Sequence, residues 1–259
     1  MLVRVENMEA LPYLKRISLK RDRIESFHRY PFSIPAVREL DSLEFGKEVT
    51  FLVGENGCGK STLLEAIAVA LGFNPEGGTK NFSFSTHDSH SALHQYLRLS
   101  KSIMKPKDGF FLRAESYFNV ATNIEELDRE PSFGPKAIDS YGGKSLHEQS
   151  HGESFLSLLL HRFGGKGIYL LDEPEAALSP TRQLSVLSRM KQLISDDSQF
   201  IIATHSPILL AYPRATIYQI DTTGIARVKY EETEHYEITR AFLLNPEKML
   251  GELLGDGPE

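Results

Sequence analysis

One continuous stretch, residues 49–72, limits the folds that are open to this chain of 259 residues. It starts with the apolar run VTFLV (Val49–Val53) and continues through the glycine-rich segment GENGCGKS (Gly54–Ser61). It ends in TLLEAIAVAL, whose apolar residues recur at a helical period before Gly72. A short apolar run is typical of a strand buried on both faces, and a glycine after a periodic segment is typical of a helix end. The stretch therefore predicts a buried strand, a tight turn and a helix in direct succession.

The glycine-rich segment matches G-x-x-x-x-G-K-[ST] in the strand-to-helix context that the pattern requires. Its glycines permit a turn whose backbone N–H groups point at phosphate oxygens, and the helix N-terminus adds favourable potential. In such a loop Lys60 reaches the β- and γ-phosphates and the Ser61 hydroxyl binds Mg²⁺. We predict that the whole segment binds nucleotide, with these residues: Gly54, Glu55, Asn56, Gly57, Cys58, Gly59, Lys60, Ser61 and Thr62. The alternative is a chance match in a glycine-rich turn.

Further apolar runs alternate with helical segments along the chain. The sequence predicts strands from Gly109 and over Ile168–Asp172 and Phe200–Thr204, a half-exposed strand over Tyr13–Ile24, and a helix over SFLSLLLHRF. Ser179 and Pro180 predict the N-cap and first turn of another helix. The weakly patterned residues 74–107 predict a loop plus a helix. Apolar strands that alternate with helices predict an α/β fold with a mostly parallel sheet covered on both faces.

Acidic and histidine residues follow two of the predicted buried strands. Asp172 and Glu173 end the run IYLLD, and His205 follows FIIAT. Ligands of parallel sheets lie at the carboxyl ends of the strands. One carboxylate can hold Mg²⁺, and its neighbour can polarise a water molecule for attack on the γ-phosphate. His205 can hydrogen-bond the γ-phosphate and that water, although a lone histidine at such a position is more often structural.

A second turn of the phosphate-binding type precedes the helix SFLSLLLHRF. The segment SHGE contains Ser150 and Gly152, and a helix that starts near Gly152 offers free N–H groups to an anion. The alternative is a capping box, in which Ser150 caps the helix and Glu153 reaches back to it. Both interpretations can hold together, because capping also orders the loop.

These motifs together resemble the ABC-type ATPase domain. Gly54–Ser61, Ser150–Glu153, Asp172–Glu173, Ala177–Ser179 and His205 are similar in order and type to its Walker A, signature, Walker B, D-loop and switch histidine. LLDEPEAALSP and ATHSP look more like the RecF/SMC-like soluble ATPases than like transporter subunits. The chain departs from the family at the signature, which reads Ser-His-Gly-Glu for Ser-Gly-Gly-Gln, and at Ser179, where aspartate is usual.

The resemblance implies a P-loop NTPase with an ABC-type core, N-terminal antiparallel strands and a small helical subdomain. It implies a single domain over residues 1–259, with the helical and signature lobe at approximately 74–165. It also implies ATP and Mg²⁺ as ligands, with Ser61, Asp172 and Glu115 at the metal and Glu173, His205 and Lys60 in catalysis. Ser150 and Gly152 would close over the γ-phosphate bound by the opposite subunit of a head-to-tail dimer. Glu115 stands in for the usual glutamine, with Arg113 and Ser116 as rivals.

Several weaker signals favour ordinary structural explanations. Tyr30 or Phe32 could stack on adenine, but aromatic residues near strands are more often core. His87, His90 and His94 share a helical spacing, yet no acidic or cysteine ligands accompany them as a zinc site requires. The basic stretches Lys15–Arg29 and KSIMKPK could touch DNA, but the net charge of −6 gives no general attraction to nucleic acid.

The sequence therefore predicts an ATPase that binds MgATP, dimerises on it and drives an unknown protein partner. One cysteine excludes an internal disulfide and fits the cytoplasm. No apolar stretch approaches the roughly 20 residues of a membrane span. The alternatives are a transporter nucleotide-binding subunit, a DNA-repair or chromosome-associated ATPase, and the ATPase of a defence system. For the second of these, the interval Thr62–Gln149 shows no sustained heptads for coiled-coil arms.

Overall fold

A computed structural model describes residues 12–80, 91–113, 121–122, 124–125, 128, 136–145 and 151–255. The strands are β1 (Leu14–Leu19), β2 (Ser42–Glu44), β3 (Val49–Val53), β4 (Leu97–Lys101), β5 (Asp108–Arg113), β6 (Gly167–Asp172), β7 (Gln199–Ala203), β8 (Thr216–Asp221) and β9 (Gly224–Val228). The α-helices are α1 (Pro35–Arg38), α2 (Lys60–Leu71), α3 (His151–Ser157), α4 (Pro180–Ser195), α5 (Pro207–Leu210), α6 (Glu234–Leu244) and α7 (Pro246–Leu254).

The central sheet has six strands in the order β5-β6-β7-β3-β8-β9. Its first five strands pair in parallel, and β9 pairs antiparallel with β8. The mostly parallel sheet predicted from the apolar runs is therefore confirmed. Every residue of β3, β6 and β7 is buried, as expected for strands covered on both faces.

Alternate residues of the central strands enter two different cores, because successive side chains point to opposite faces of a sheet. Phe51 and Phe200 belong to one hydrophobic cluster, while Leu52 and Ile201 belong to the other. The first core packs α3 and α4 against the sheet, and the second packs α1 and α2 against it. Burial on both faces explains why these strands are continuous apolar runs in the sequence.

A smaller antiparallel sheet, in the order β2-β1-β4, lies beside the central one. The side chain of Gln199 at the start of β7 joins the two sheets: its Oε1 accepts from the Leu14 N–H at 2.9 Å, and its Nε2 donates to Leu14 O and Gly46 O, both at 2.9 Å. The sheet confirms the predicted N-terminal antiparallel strands. The predicted loop plus helix over residues 74–107 is wrong at 97–101, because β4 pairs along β1 there. The strand predicted over Tyr13–Ile24 is shorter than expected and ends at Leu19.

The predicted helix SFLSLLLHRF lies in two pieces, α3 and a π-helical turn over Leu158–Arg162. Arg189 of α4 supports the end of this segment: its Nε donates to Leu159 O at 3.2 Å, and its Nη2 donates to Leu160 O at 3.2 Å and to Phe163 O at 2.9 Å. The carbonyls that the helix end leaves free are thereby satisfied. Within the described ranges, none of the helices combines the length and the apolar character needed to cross a bilayer.

Candidate functional site

Most of the predicted site residues that the structure describes converge at the carboxyl ends of three neighbouring strands. The phosphate-loop segment Gly54–Ser61 follows β3, Asp172 ends β6, and His205 lies two residues beyond β7. Since β7 lies between β6 and β3 in the sheet, the three ends form one continuous edge. The parallel pairing brings together residues that are more than a hundred positions apart in the sequence.

The phosphate loop owes its shape to glycines at three positions. Gly54, Gly57 and Gly59 have φ values of +147°, +81° and +100°, which residues with a side chain rarely adopt. Gly54 has a second constraint, because a Cβ there would lie 2.1 Å from the backbone oxygen of Ile220 in β8. The loop ends at Gly59, the N-cap of α2, so that the helix N-terminus opens onto the loop.

Lys60 lies folded back across this loop. Its Nζ donates to Gly54 O at 2.8 Å and to Glu55 O at 2.9 Å, and only 4% of the residue is exposed. Among the described residues, no carboxylate forms an ion pair with this ammonium group. A buried cation with neutral partners is costly unless an anion compensates it. The loop and its lysine therefore fit a phosphate group.

Ser61 and Asp172 form the contact between the loop and β6. The Ser61 Oγ donates to Asp172 Oδ1 at 2.9 Å. A hydroxyl and a carboxylate are the hard oxygen ligands that Mg²⁺ takes, usually together with water and phosphate oxygens. The pair therefore fits the magnesium of a MgATP complex. Across the described part of the chain, no group of three or more His, Cys, Asp and Glu side chains could hold a metal by itself.

Glu173 leaves the strand in a left-handed conformation with φ of 50° and ψ of 52°. Its N–H donates to Ala203 O at 2.9 Å, which holds this turn against β7. Non-glycine residues in this region store backbone strain that is often found at functional sites. The turn separates the two carboxylates: Asp172 contacts Ser61, whereas Glu173 Oε1 lies 3.6 Å from His205 Nε2.

His205 has partners on three sides. Its backbone N–H donates to Glu175 Oε1 at 2.5 Å, its Nδ1 lies 2.9 Å from His235 Nε2, and its Nε2 faces Glu173. Burial, and then the positive charge of Lys60, lower the pKa of His205, while Glu173 opposes them. Burial also lowers the pKa of His235 and raises the pKa of the Glu175 carboxyl. Both imidazoles are therefore neutral at neutral pH.

Sequence reasoning missed Glu175, His235 and Glu65. Glu65 in α2 accepts from Arg113 Nη1 at 2.5 Å, and Arg113 Nε lies 4.0 Å from Asp172 Oδ2. Glu175 follows the strand-end acidic pair by two residues, which was an available signal. His235 had no local signal, because only the packing of α6 brings it to His205.

The other predicted residues divide into those that the structure describes and those that it does not. Ser150 and Glu115, with the rival Ser116, lie outside the described residues, as do His87 and His90. The Nδ1 of His94 contacts Ser91 O at 3.2 Å. Phe32 packs edge-on against Tyr96 with ring centroids 4.8 Å apart, whereas Tyr30 is exposed.

Gly152 of the predicted signature lies on α3 against the turn that follows β6. A Cβ at Gly152 would lie 2.6 Å from Ala177 O and 2.5 Å from Arg182 Nη1. Close approach of the two backbones therefore requires glycine at this position. Ser179 caps α4 by accepting from the Arg182 N–H at 3.4 Å, which confirms the predicted helix start.

Three residues of the basic stretch Lys15–Arg29 have local acidic or backbone partners. Arg16 Nη2 pairs with Glu44 at 2.5 Å, Arg21 Nη1 pairs with Asp41 at 3.5 Å, and Lys20 Nζ donates to Gln95 O at 2.9 Å. Exposed pairs of this kind are common on protein surfaces. The geometry gives no support to DNA binding along residues 15–29.

Comparisons with known proteins agree with this geometry. Two family models match, one described as "AAA domain" over residues 23–147 and one as "AAA domain, putative AbiEii toxin, Type IV TA system" over residues 145–211. The chain is 32% identical over 184 residues to the cytochrome c biogenesis ATP-binding export protein CcmA of Rhodopseudomonas palustris (strain BisB5), covering 66% of this chain and 86% of that protein. It is also 33% identical over 93 residues to the DNA repair protein RAD50 of Drosophila melanogaster, covering 36% of this chain and 7% of that protein.

A solved structure supports the fold. An ATP-binding cassette of an ABC transporter superposes with a TM-score of 0.50 at 16% identity, and the match covers 90% of this chain and 98% of that one. At this identity the likeness shows the fold alone. The relative that matches over most of its length supplies the family and its reaction. This chain belongs to the ABC-type P-loop ATPases, enzymes that hydrolyse ATP.

Proposed function

We propose that the chain binds MgATP at the strand ends, pairs head-to-tail with a second copy across two nucleotides, and uses hydrolysis to change the conformation of a protein partner in the cytoplasm. The observation that carries the proposal is the convergence of the phosphate loop, Asp172, Glu173 and His205 at one sheet edge. Each of these groups matches one requirement of phosphoryl transfer to water.

In this proposal, the loop N–H groups and Lys60 hold the β- and γ-phosphates. Bound Mg²⁺ would neutralise phosphate charge, with Ser61 and Asp172 as its protein ligands and Glu115 beside it. Glu173 accepts a proton from the attacking water, because its carboxylate is free of the Ser61 contact that occupies Asp172. His205 donates a hydrogen bond to the γ-phosphate and orients the water.

The signature acts across the dimer in this proposal. Gly152 and α3 pack against Ala177 and α4 of their own chain. Ser150 and Gly152 are proposed to close over the γ-phosphate held by the opposite subunit. The simple capping-box alternative gives Ser150 a role only within its own chain, so the two interpretations differ in a mixed dimer.

Complementation between two inactive variants tests the dimer. Ser150→Arg blocks the signature, and Lys60→Ala disables the phosphate loop, so that a homodimer of either variant has two broken sites. In a mixed dimer, the Lys60 of the first chain faces the intact Ser150 of the second, and one site is whole. Each mixed dimer has one intact site out of two, so we expect it to show up to about half of the activity of a wild-type dimer. The activity of the mixture should rise more than linearly with protein concentration while dimerisation is limiting.

The matched control mixes Lys60→Ala with Glu173→Gln. Both residues belong to the same half of the site, so that every site in this mixed dimer keeps one defect and no activity should return. If mixed dimers form in the first mixture but do not hydrolyse ATP, two explanations remain. Either Ser150 acts within its own chain, or hydrolysis requires both sites of the dimer to be intact. A covalently linked dimer with one wild-type half and one Lys60→Ala half separates these explanations, because ATP hydrolysis by this dimer would show that one intact site is sufficient.

A second candidate function is the nucleotide-binding subunit of a transporter. The match to 86% of the export protein CcmA favours it. A native pull-down separates the two candidates: recovery of a membrane protein that contains transmembrane helices, in amounts that rise with non-hydrolysable ATP, supports the transporter subunit. Recovery of a partner without such helices supports the first proposal.

A further inference from the structure

The residue His235 lies outside every motif of the chain, yet its imidazole is in contact with His205. The His205 Nδ1 and His235 Nε2 atoms are 2.9 Å apart, and the two ring planes meet at 57°. His235 is the second residue of α6, and the helix N-cap Thr233, which precedes it, is fully buried. The contact therefore joins the C-terminal helices to the candidate site.

One hydrogen bond links the segment before α6 to the residues that follow His205, and a second orders that segment internally. The Tyr230 hydroxyl donates to Pro207 O at 2.9 Å, and the Thr233 Oγ1 donates to Tyr230 O at 2.7 Å. The remainder of α6 lies beside the phosphate loop, separated from Glu55 and Asn56 by a cavity of about 500 Å³. The backbone that carries His235 is thus ordered by contacts that do not involve His205.

Two neutral imidazoles can share only one proton along this contact, so one ring must donate and the other must accept. The titratable groups that face the pair are Lys60 from α2, Glu173 and Glu175 from the turn after β6, and Glu234 from α6. Burial, together with the positive charge of Lys60, lowers the pKa of both rings against the opposing carboxylates and keeps them neutral. The direction of the hydrogen bond then decides which nitrogen of His205 carries its proton.

Two observations fix that direction. The buried Nε2 of His205 lies 3.6 Å from the Glu173 carboxylate, and a protonated nitrogen is favoured beside an anion, whereas a lone pair is repelled by it. His235 lies in the first turn of α6, where the free N–H groups create positive potential. This potential favours a lone pair on its Nδ1, which is buried and has no hydrogen-bond partner among the described residues. Both arguments place the shared proton on His235 Nε2.

We propose that His235 is a positioning residue that donates its Nε2–H to His205 Nδ1 and thereby holds His205 in the tautomer that presents Nε2–H toward Glu173 and the γ-phosphate. The effect on turnover rests on the proposed function of His205, whereas the tautomer itself does not. A helix that lies outside the nucleotide-binding motifs would in this way set the donor that the site offers to phosphate.

The tautomer is measured directly by NMR of nucleotide-free protein labelled with ¹⁵N-histidine, with the His205 signals assigned from His205→Gln. We expect the Nδ1 of His205 to show the chemical shift of an unprotonated nitrogen and its Nε2 that of a protonated one. A protonated Nδ1 overturns the proposal. This measurement needs neither nucleotide nor dimer, so its failure is distinct from failure of the proposed function.

The kinetics of three His235 variants test the effect of this contact on turnover. His235→Gln keeps an N–H donor at the same distance from the backbone, while His235→Asn and His235→Ala do not. We expect kcat to fall about tenfold in the Asn and Ala variants, the equivalent of one net hydrogen bond of about 1.4 kcal/mol, with KM for MgATP changed less than about twofold. The Gln variant should keep kcat within about threefold of wild type.

Ile238→Ala provides the matched control, since it trims α6 one turn further on and leaves both imidazoles intact. It should keep kcat within about twofold. A Gln variant as slow as the Ala variant would assign His235 a packing role and contradict the proposal, as would wild-type kcat in His235→Ala. If the Ala variant fails to fold, the comparison of Gln with Asn and the NMR measurement still decide.

Discussion

The hydroxyl of Ser61 donates a hydrogen bond to the carboxylate of Asp172 across 2.9 Å, and this contact joins the phosphate loop to the end of β6. The two residues are 111 positions apart in the sequence. Since β7 separates their strands, the contact reaches across one whole strand of the sheet. It gathers the hard oxygen ligands that magnesium requires.

Removing the charge of Asp172 should therefore weaken the binding of magnesium to the enzyme. Asp172→Asn keeps an oxygen that accepts from Ser61 but loses the negative charge, so the Mg²⁺ concentration for half-maximal hydrolysis should rise about tenfold or more. Titration of ATPase activity with Mg²⁺ measures this half-maximal concentration. Ser61→Thr, which keeps the hydroxyl, should stay near the wild-type midpoint. An unchanged midpoint in Asp172→Asn would remove this residue from the metal site.

Replacing Lys60 should abolish useful ATP binding. The Lys60→Ala variant loses the buried ammonium that is proposed to contact the β- and γ-phosphates, and hydrogen bonds to charged groups contribute about 1.5–3 kcal/mol each. Nucleotide affinity measured by calorimetry should fall about 100-fold. Lys101→Ala, which removes an exposed lysine on β4, should leave affinity unchanged. Equal affinities in the two variants would contradict the phosphate-loop assignment.

Glu173→Gln should separate binding from turnover. The amide preserves the shape of the side chain without its basicity, so MgATP should still bind while kcat falls about 100-fold or more. Light scattering should show the variant accumulating as an ATP-bound dimer. Hydrolysis near the wild-type rate would move the general base elsewhere, and His205, 3.6 Å away, would be the first residue to test.

A methyl group on Gly152 should affect the packing of the signature helix. The added Cβ would meet Ala177 O at 2.6 Å, a backbone atom, so α3 must move away from the turn after β6. We expect Gly152→Ala to lose about 1–3 kcal/mol of stability and to slow hydrolysis more than it weakens ATP binding. Thermal unfolding and kinetics measure both. Gly164→Ala is the control, because its Cβ would meet only Asp108 Oδ2 at 3.8 Å; equal effects in both variants would contradict the clash.

The buried carboxyl of Glu175 should make stability depend on pH. Burial raises its pKa above the ordinary 4.5, so the folded state holds the proton more tightly than the unfolded state. The corresponding stability is fully present below pH 4.5 and is lost as the pH rises through the raised value. Glu175→Gln is neutral throughout, and its Tm relative to wild type should therefore increase as the pH rises from 4.5 toward 8.

The comparison between these two proteins removes the titrations of groups that do not interact with Glu175. Differential scanning calorimetry without nucleotide is the measurement. A Tm difference that is constant over this pH range would mean that Glu175 keeps an ordinary pKa despite its burial.

Local patterns in the sequence were sufficient for the buried strands and for the phosphate loop. Val49–Val53 is apolar because both faces of β3 are covered, and glycines follow because the turn needs φ values that only glycine adopts readily. Ser179 and Pro180 likewise predicted the N-cap and first turn of α4. These features depend on neighbours in the chain, and a single sequence therefore contains them.

Contacts between distant parts of the chain decided the elements that local sequence patterns did not predict. Residues 97–101 form a strand because β1 lies beside them, and their own composition gave no such signal. The hairpin of β8 and β9 and the C-terminal helices α6 and α7 likewise follow no motif. Edge strands and surface helices are stabilised by the element they pack against, which local propensity does not identify.

The division is clearest at His205. The sequence by itself determined that a histidine follows a buried strand, and the neighbouring motifs indicated its chemistry. Only the tertiary structure brought His235 to within 2.9 Å of its Nδ1 and placed Glu175 on its backbone N–H. Protonation depends on the charges and burial around a group in space, so the state of this histidine is a property of the packed fold and not of its sequence neighbours.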